Sequence, residues 1–249
     1  EQWNALKLLN SKSEFLDADQ GKEVIEIAQD EAFDFKTFDQ IGSIKEDNEL
    51  IGWHIEQVLN LPYIEPDKIR EKTFTVAVDA VNGAGSHALP RLLETLGVNV
   101  KRLYCEPNGI FPHNPEPLPE HLTEICEYVV EHSCDLGFVT DPDVDRLAVV
   151  DENGGLFGEE YTQVAAFDFI LEQKPGDTAT NLSSSRAAEQ ITEKYGHICH
   201  RSAVGEINVV KVMQKENAVI AGEGNGGVIN PDLHPEIADA FKAAFGLTD

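Results

Sequence analysis

Hydrophobic and polar positions fall into a regular alternation from Thr73 onward. The run "TFTVAVDAV" is β-branched and apolar, "NGAG" supplies a turn, "SHALPRLLETLG" has helical spacing, and "VNVKRLYC" returns as a strand. Short apolar runs bounded by turn residues and joined by a helical segment predict a β-α-β unit. A turn-rich stretch, "EPNGIFPHNPEPLPE", precedes the helix "HLTEICEYVVEHS", which feeds the strand "DLGFV" and then, after a polar loop, the strand "LAVV". The same rhythm starts again near Gly158: the helix "EEYTQVAAFDFILEQ", the strand "TATNLS", the helix "SRAAEQITEKYG", the strand "HICHRSAV", the helix "INVVKVMQKEN" and the strand "AVIAG".

These elements predict α/β architecture with mixed, largely parallel sheets and flanking helices. Three units are expected: an incomplete one over residues 1–70, a second over 71–156 and a third over 157–249. Within the first, "NELIGWHIEQVLNL" reads as an amphipathic helix, and the tail "PDLHPEIADAFKAAFGLTD" of the third also carries a helical pattern. No sequence repeat is visible, although the second and third units share a β-α rhythm.

Charge narrows the partners. Nineteen basic residues against 45 acidic ones give a net charge of −26 over 249 residues. Such a surface repels phosphate backbones and anionic membranes, so neither nucleic acid nor membrane is an expected partner. The apolar runs are far shorter than a bilayer span of roughly 20 residues. Cys105, Cys126, Cys134 and Cys199 lack C-x-x-C spacing and read as buried reduced thiols of a cytoplasmic protein.

The chemistry concentrates in "TDPDVDRLA", which sets Asp141, Asp143 and Asp145 at alternate positions and follows them with Arg146. Carboxylates so spaced repel unless a cation neutralises them, and oxygen ligands suit a hard ion such as Mg²⁺ or Ca²⁺. Pro142 stiffens the loop. Arg146 suits a phosphate shared between its guanidinium fork and the cation. A solvated acidic turn, an EF-hand loop and a haloacid-dehalogenase type aspartate site are the competing readings. The EF-hand reading requires Gly where Arg146 stands and helices where strands are expected. A second unusual loop, "GEGNGGVI", follows the strand "AVIAG".

Taken together, "DPDVDR", "GEGNGGVI", "VAVDAVNGAG" and "FPHNPEPLPE" resemble, in order and spacing, the α-D-phosphohexomutases: the phosphoglucomutase, phosphomannomutase and phosphoglucosamine mutase superfamily. The resemblance implies a Mg²⁺ site at Asp141, Asp143 and Asp145 and a phosphate-steadying role for Arg146. It implies sugar contacts from Glu223 and Asn225, where Asn225 replaces the usual Ser and Gly227 the usual His. The opening "EQWNALK" is similar to the segment after the family's catalytic serine, with Asn4 and Lys7 matched and Ala5 in place of Gly. Lys7 is thereby a candidate proton shuttle or charge stabiliser.

The expected activity is Mg²⁺-dependent phosphoryl transfer between the 1- and 6-positions of a hexose phosphate, through a phosphoserine and a bisphosphate. The serine and a fourth domain are expected to be missing, and the chain alone is expected to be inactive. The alternative is a non-catalytic divalent-cation binding module. The tail beyond His234 departs from the family and inherits no role.

Overall fold

The computed structural model describes residues 6–11, 14–44, 46 and 48–232. The expected tail helix and the matches at Asn4 and Ala5 lie outside the described residues.

Among the described residues before the first sheet lie three α-helices: α1 (Ala18–Gln29), α2 (Leu50–Leu59) and α3 (Pro66–Arg70). Asp17 starts α1 through a capping box, accepting from the backbone of Asp19 and Gln20 while the Gln20 side chain accepts from the Asp17 backbone. α1 buries none of its residues. The segment leading into it is tied to residues about 200 positions later by Lys211 to Asp17 at 3.0 Å and Gln214 to Glu14 at 2.6 Å.

The first sheet has the order β2-β1-β3-β4, built from β1 (Thr75–Asp79), β2 (Asn99–Leu103), β3 (Leu136–Thr140) and β4 (Leu147–Asp151). β1 pairs in parallel with β2 and β3, and β3 pairs antiparallel with β4. Helices α4 (Gly85–Thr95) and α5 (Thr123–Glu131) make the crossovers. Four of the five β1 residues are buried, as a central parallel strand covered on both faces requires. One face packs Val76 and Val78 with Leu93 and Leu96; the other packs Ala77 and Val139 with Leu122, Ile125 and Val129.

The second sheet repeats this topology strand for strand. Its order is β6-β5-β7-β8, from β5 (Thr178–Asn181), β6 (Cys199–Ser202), β7 (Ile220–Gly222) and β8 (Val228–Ile229). β5 pairs in parallel with β6 and β7, and β7 turns back antiparallel into β8. Helices α7 (Ala187–Lys194) and α8 (Glu206–Glu216) are its crossovers. Between the two sheets runs α6 (Glu159–Gln173), which contacts β4 of the first and β7 and β8 of the second. That position explains why α6 has no single apolar stripe: it buries Thr162 and Gln163 as well as Phe167, Ile170 and Leu171.

Cys134 is buried, whereas Cys105, Cys126 and Cys199 are only partly so, and all four are free thiols. The expectation of four buried thiols is thus too strong. No helix among the described residues is long and apolar enough to cross a membrane.

Candidate metal and sugar site

The shared topology gives the two unusual sequence loops the same structural address. The aspartate loop, residues 141–146, joins β3 to β4, and the glycine-rich loop, residues 223–227, joins β7 to β8. Each leaves the carboxyl end of a parallel strand, where open α/β sheets place their ligand crevices.

Local hydrogen bonds shape the aspartate loop. Asp141, 4 % exposed, accepts at Oδ1 from the backbone N–H groups of Asp145 at 3.1 Å and Arg146 at 3.2 Å. Val144 takes a left-handed conformation, φ 66°, and its N–H reaches the Asp141 carbonyl at 3.3 Å. The turn brings one carboxylate oxygen from each of Asp141, Asp143 and Asp145 within 4.8 Å of one another. Both flanks are strands, which removes the EF-hand reading. Pro142 is seated against the turn after β1, where its carbonyl accepts from Ala84 at 3.0 Å. A Cβ on Gly83 would meet Pro142 Cα and O at 2.8 Å, so the small residue of "VNGAG" serves close packing of this loop.

Electrostatics reflect the crowded acids. Burial, then the neighbouring Asp145 and Asp143, push the Asp141 carboxyl up to about 7. Burial also opposes ionisation of Asp145, but Lys7 and Arg146 outweigh it and hold that carboxyl below its ordinary value. Lys7 bridges Asp143 and Asp145, lying 2.6 Å from Asp145 Oδ2. Burial disfavours its charge, yet the two carboxylates raise its pKa. An ammonium therefore already answers part of the loop's demand for positive charge. Three converging carboxylate oxygens, one held back from ionising by burial and then by its neighbours, form a donor set that fits a hard divalent cation.

Arg146 projects beside the loop. Its Nη1 is paired with Glu116, and its Nε stands 3.9 Å from Asp141 Oδ2 and 3.8 Å from Asp145 Oδ1. Glu116 belongs to "FPHNPEPLPE", a segment fixed by His113, whose Nε2 lies 3.0 Å from Asp79 Oδ2.

In the second loop, Glu223 accepts from Asn181 Nδ2 at 2.6 Å. Ser184 Oγ accepts from Gly224 N–H at 2.9 Å. Asn181 Oδ1 in turn accepts from the backbone and hydroxyl of Ser184, both at 2.9 Å. Ser184 of "NLSSSRA" thus braces this loop, while its neighbour Ser185 accepts at Oγ from the Ala187 N–H at 3.2 Å at the start of α7, whose N-cap residue is Arg186. Asn225 spends Oδ1 on Gly227 N–H at 3.1 Å.

The two loops touch. Leu147 N–H donates to Gly226 O at 3.2 Å, and a Cβ on Gly226, φ 93°, would meet Leu147 O at 2.7 Å. Between them opens a cavity of about 320 Å³ lined by Lys7, Asp145, Arg146, Glu206, Glu223 and Asn225, among others. Asp141 and Asp143 adjoin this cavity through Asp145 and Lys7. Glu116, Asn181 and Glu206 carry no role predicted from the sequence. Only Glu206 carried a local signal, an acid directly after Gly205 at a helix start.

Two family models match: the alpha/beta/alpha domain II of phosphoglucomutase/phosphomannomutase over residues 53–155, and domain III over residues 158–247. The chain belongs to the phosphohexomutase family. Among relatives, it is 33 % identical over 234 residues to the phosphoglucomutase/phosphomannomutase of Thermococcus kodakarensis, covering 93 % of this chain and 51 % of that protein. It is 30 % identical over 235 residues to a Methanopyrus kandleri protein named "Probable phosphoglucosamine mutase", covering 94 % of this chain and 51 % of the relative. The chain thus spans about half the length of these relatives. The fold is similar to part of a phosphoglucomutase/phosphomannomutase family protein from Burkholderia thailandensis, with a TM-score of 0.74 at 21 % identity over 94 % of this chain and 53 % of that one.

Proposed function

We propose that this chain is the central part of a phosphohexomutase that moves a phosphoryl group between the 1- and 6-positions of a hexose phosphate. In this reading residues 1–70 end a first domain, 71–156 form the metal-binding domain and 157–249 the sugar-binding domain. The observation that carries it is the single cleft shared by the aspartate loop and the glycine-rich loop, with Lys7 and Arg146 on its wall.

Asp141, Asp143 and Asp145 would hold Mg²⁺, which when bound supplies charge neutralisation to phosphoryl oxygens. Arg146 offers its guanidinium to the same oxygens, and its pairing with Glu116 limits the directions the fork can take. Lys7 is placed to stabilise charge on the transferring group or to carry a proton to a sugar oxygen. Glu223, oriented by Asn181, accepts hydrogen bonds from sugar hydroxyls, and Asn225 donates through Nδ2, since its oxygen is committed to Gly227. Phosphoryl transfer asks mainly for positioning and charge neutralisation, and these groups supply both.

The serine donor of the resemblance has no counterpart motif in this sequence, so this chain by itself is expected not to turn over. The test is conversion of glucose, mannose and glucosamine 1-phosphates to 6-phosphates by the full-length parent protein with Mg²⁺. Turnover of at least one substrate, abolished in Asp143→Asn and absent from this chain alone, is expected. A full-length protein inert toward all three contradicts the proposal.

A further inference from the structure

Glu206 is the cleft residue with no part in the reading above. It opens α8 directly after Gly205, which adopts φ 113°, and its side chain lines the same cavity as Lys7, Asp145, Arg146, Glu223 and Asn225. The residue is half-buried. Among the described residues its carboxylate makes neither a hydrogen bond nor an ion pair. The other carboxylates of the cleft are all engaged: Glu223 by Asn181, and Asp143 and Asp145 by Lys7.

A carboxylate drawn out of water without a partner costs free energy, and the start of a helix offsets only part of that cost. Its charged neighbours make the position more demanding. Burial first, then Asp145 and Glu223, push the Glu206 carboxyl upward, and Lys7, the nearby cation, is already shared between two aspartates. A sugar hydroxyl would answer the lost hydration but not the surplus negative charge. A second divalent ion is disfavoured, because the one group of three convergent metal-ligating side chains among the described residues is the aspartate loop, which excludes Glu206. An ammonium group answers both demands through a charge-assisted hydrogen bond.

We propose that Glu206 is a specificity-determining residue that accepts a hydrogen bond from the ammonium of an amino-hexose phosphate, setting the cleft's preference for amino sugars over their hydroxyl counterparts. This rests on the mutase reading of the cleft and names its substrate class.

The test uses glucosamine 6-phosphate and glucose 6-phosphate, which differ in the ammonium. Each is titrated into the ¹⁵N-labelled chain with saturating Mg²⁺ and followed by amide chemical shifts. The wild-type chain is expected to bind the amino sugar about tenfold more tightly, a typical worth for one charge-assisted contact. Glu206→Gln is expected to bring the two affinities within about twofold of each other, with an otherwise native spectrum. Glu223→Gln is expected to weaken both sugars alike. Equal binding of the two sugars by the wild-type chain, or a preference that survives in Glu206→Gln, overturns the inference while leaving the mutase reading intact. Failure of either sugar to bind at all contradicts the mutase reading of this cleft and takes the inference with it.

Discussion

Gly226 shows how much of the site depends on single atoms. Its positive φ disfavours any residue with a Cβ, and that Cβ would lie 2.7 Å from the Leu147 carbonyl, a backbone atom that cannot swing away. Gly226→Ala is therefore expected to cost about 1–3 kcal/mol in a urea melt and to separate the two loops. A variant as stable as the parent chain would show that this contact is dispensable. The residues that sequence made legible are those whose chemistry is local. Asp141, Asp143, Asp145 and Arg146 fall within six positions, so their mutual repulsion and need for a cation can be read without a fold. Glu116 reaches Arg146 across 30 positions and Asn181 reaches Glu223 across 42, and only the sheet topology brings them together.

At the scale of elements, hydrophobic periodicity predicted most helices and strands because central strands buried on both faces leave continuous apolar runs, as in "TVAVD". What periodicity could not show was that the two sheets share one topology, since strand order depends on pairing rather than on pattern. That identity gives both unusual loops the same place in their sheets, and the two meet where Leu147 N–H donates to Gly226 O. One further joint can be tested by pH. His113 pins the "FPHNPEPLPE" segment to Asp79 at the end of β1, and this hydrogen bond raises the His113 pKa against the burial that lowers it. A histidine whose folded pKa exceeds its unfolded value of about 6.5 stabilises fully below that value and loses the contribution as pH rises through the folded one. The stability difference between wild type and His113→Asn is thus expected to be larger near about pH 6 than near about pH 9. His54, whose pKa burial lowers, has the opposite sign but is common to both proteins and cancels in the difference. A difference that does not vary with pH would mean that His113 anchors the segment by packing alone.

At the scale of the whole molecule, the net charge of −26 sets a background against which the cleft would have to bind the proposed hexose phosphate, itself an anion. In the proposed function Lys7, Arg146 and a bound cation overcome that background locally, so the metal is the central claim. The most direct measurement is a calorimetric titration of Mg²⁺ into this chain, repeated with Asp143→Asn. One saturable site per chain is expected, weakened at least about tenfold by the substitution. Absence of saturable binding, or an affinity unchanged in Asp143→Asn, would contradict it.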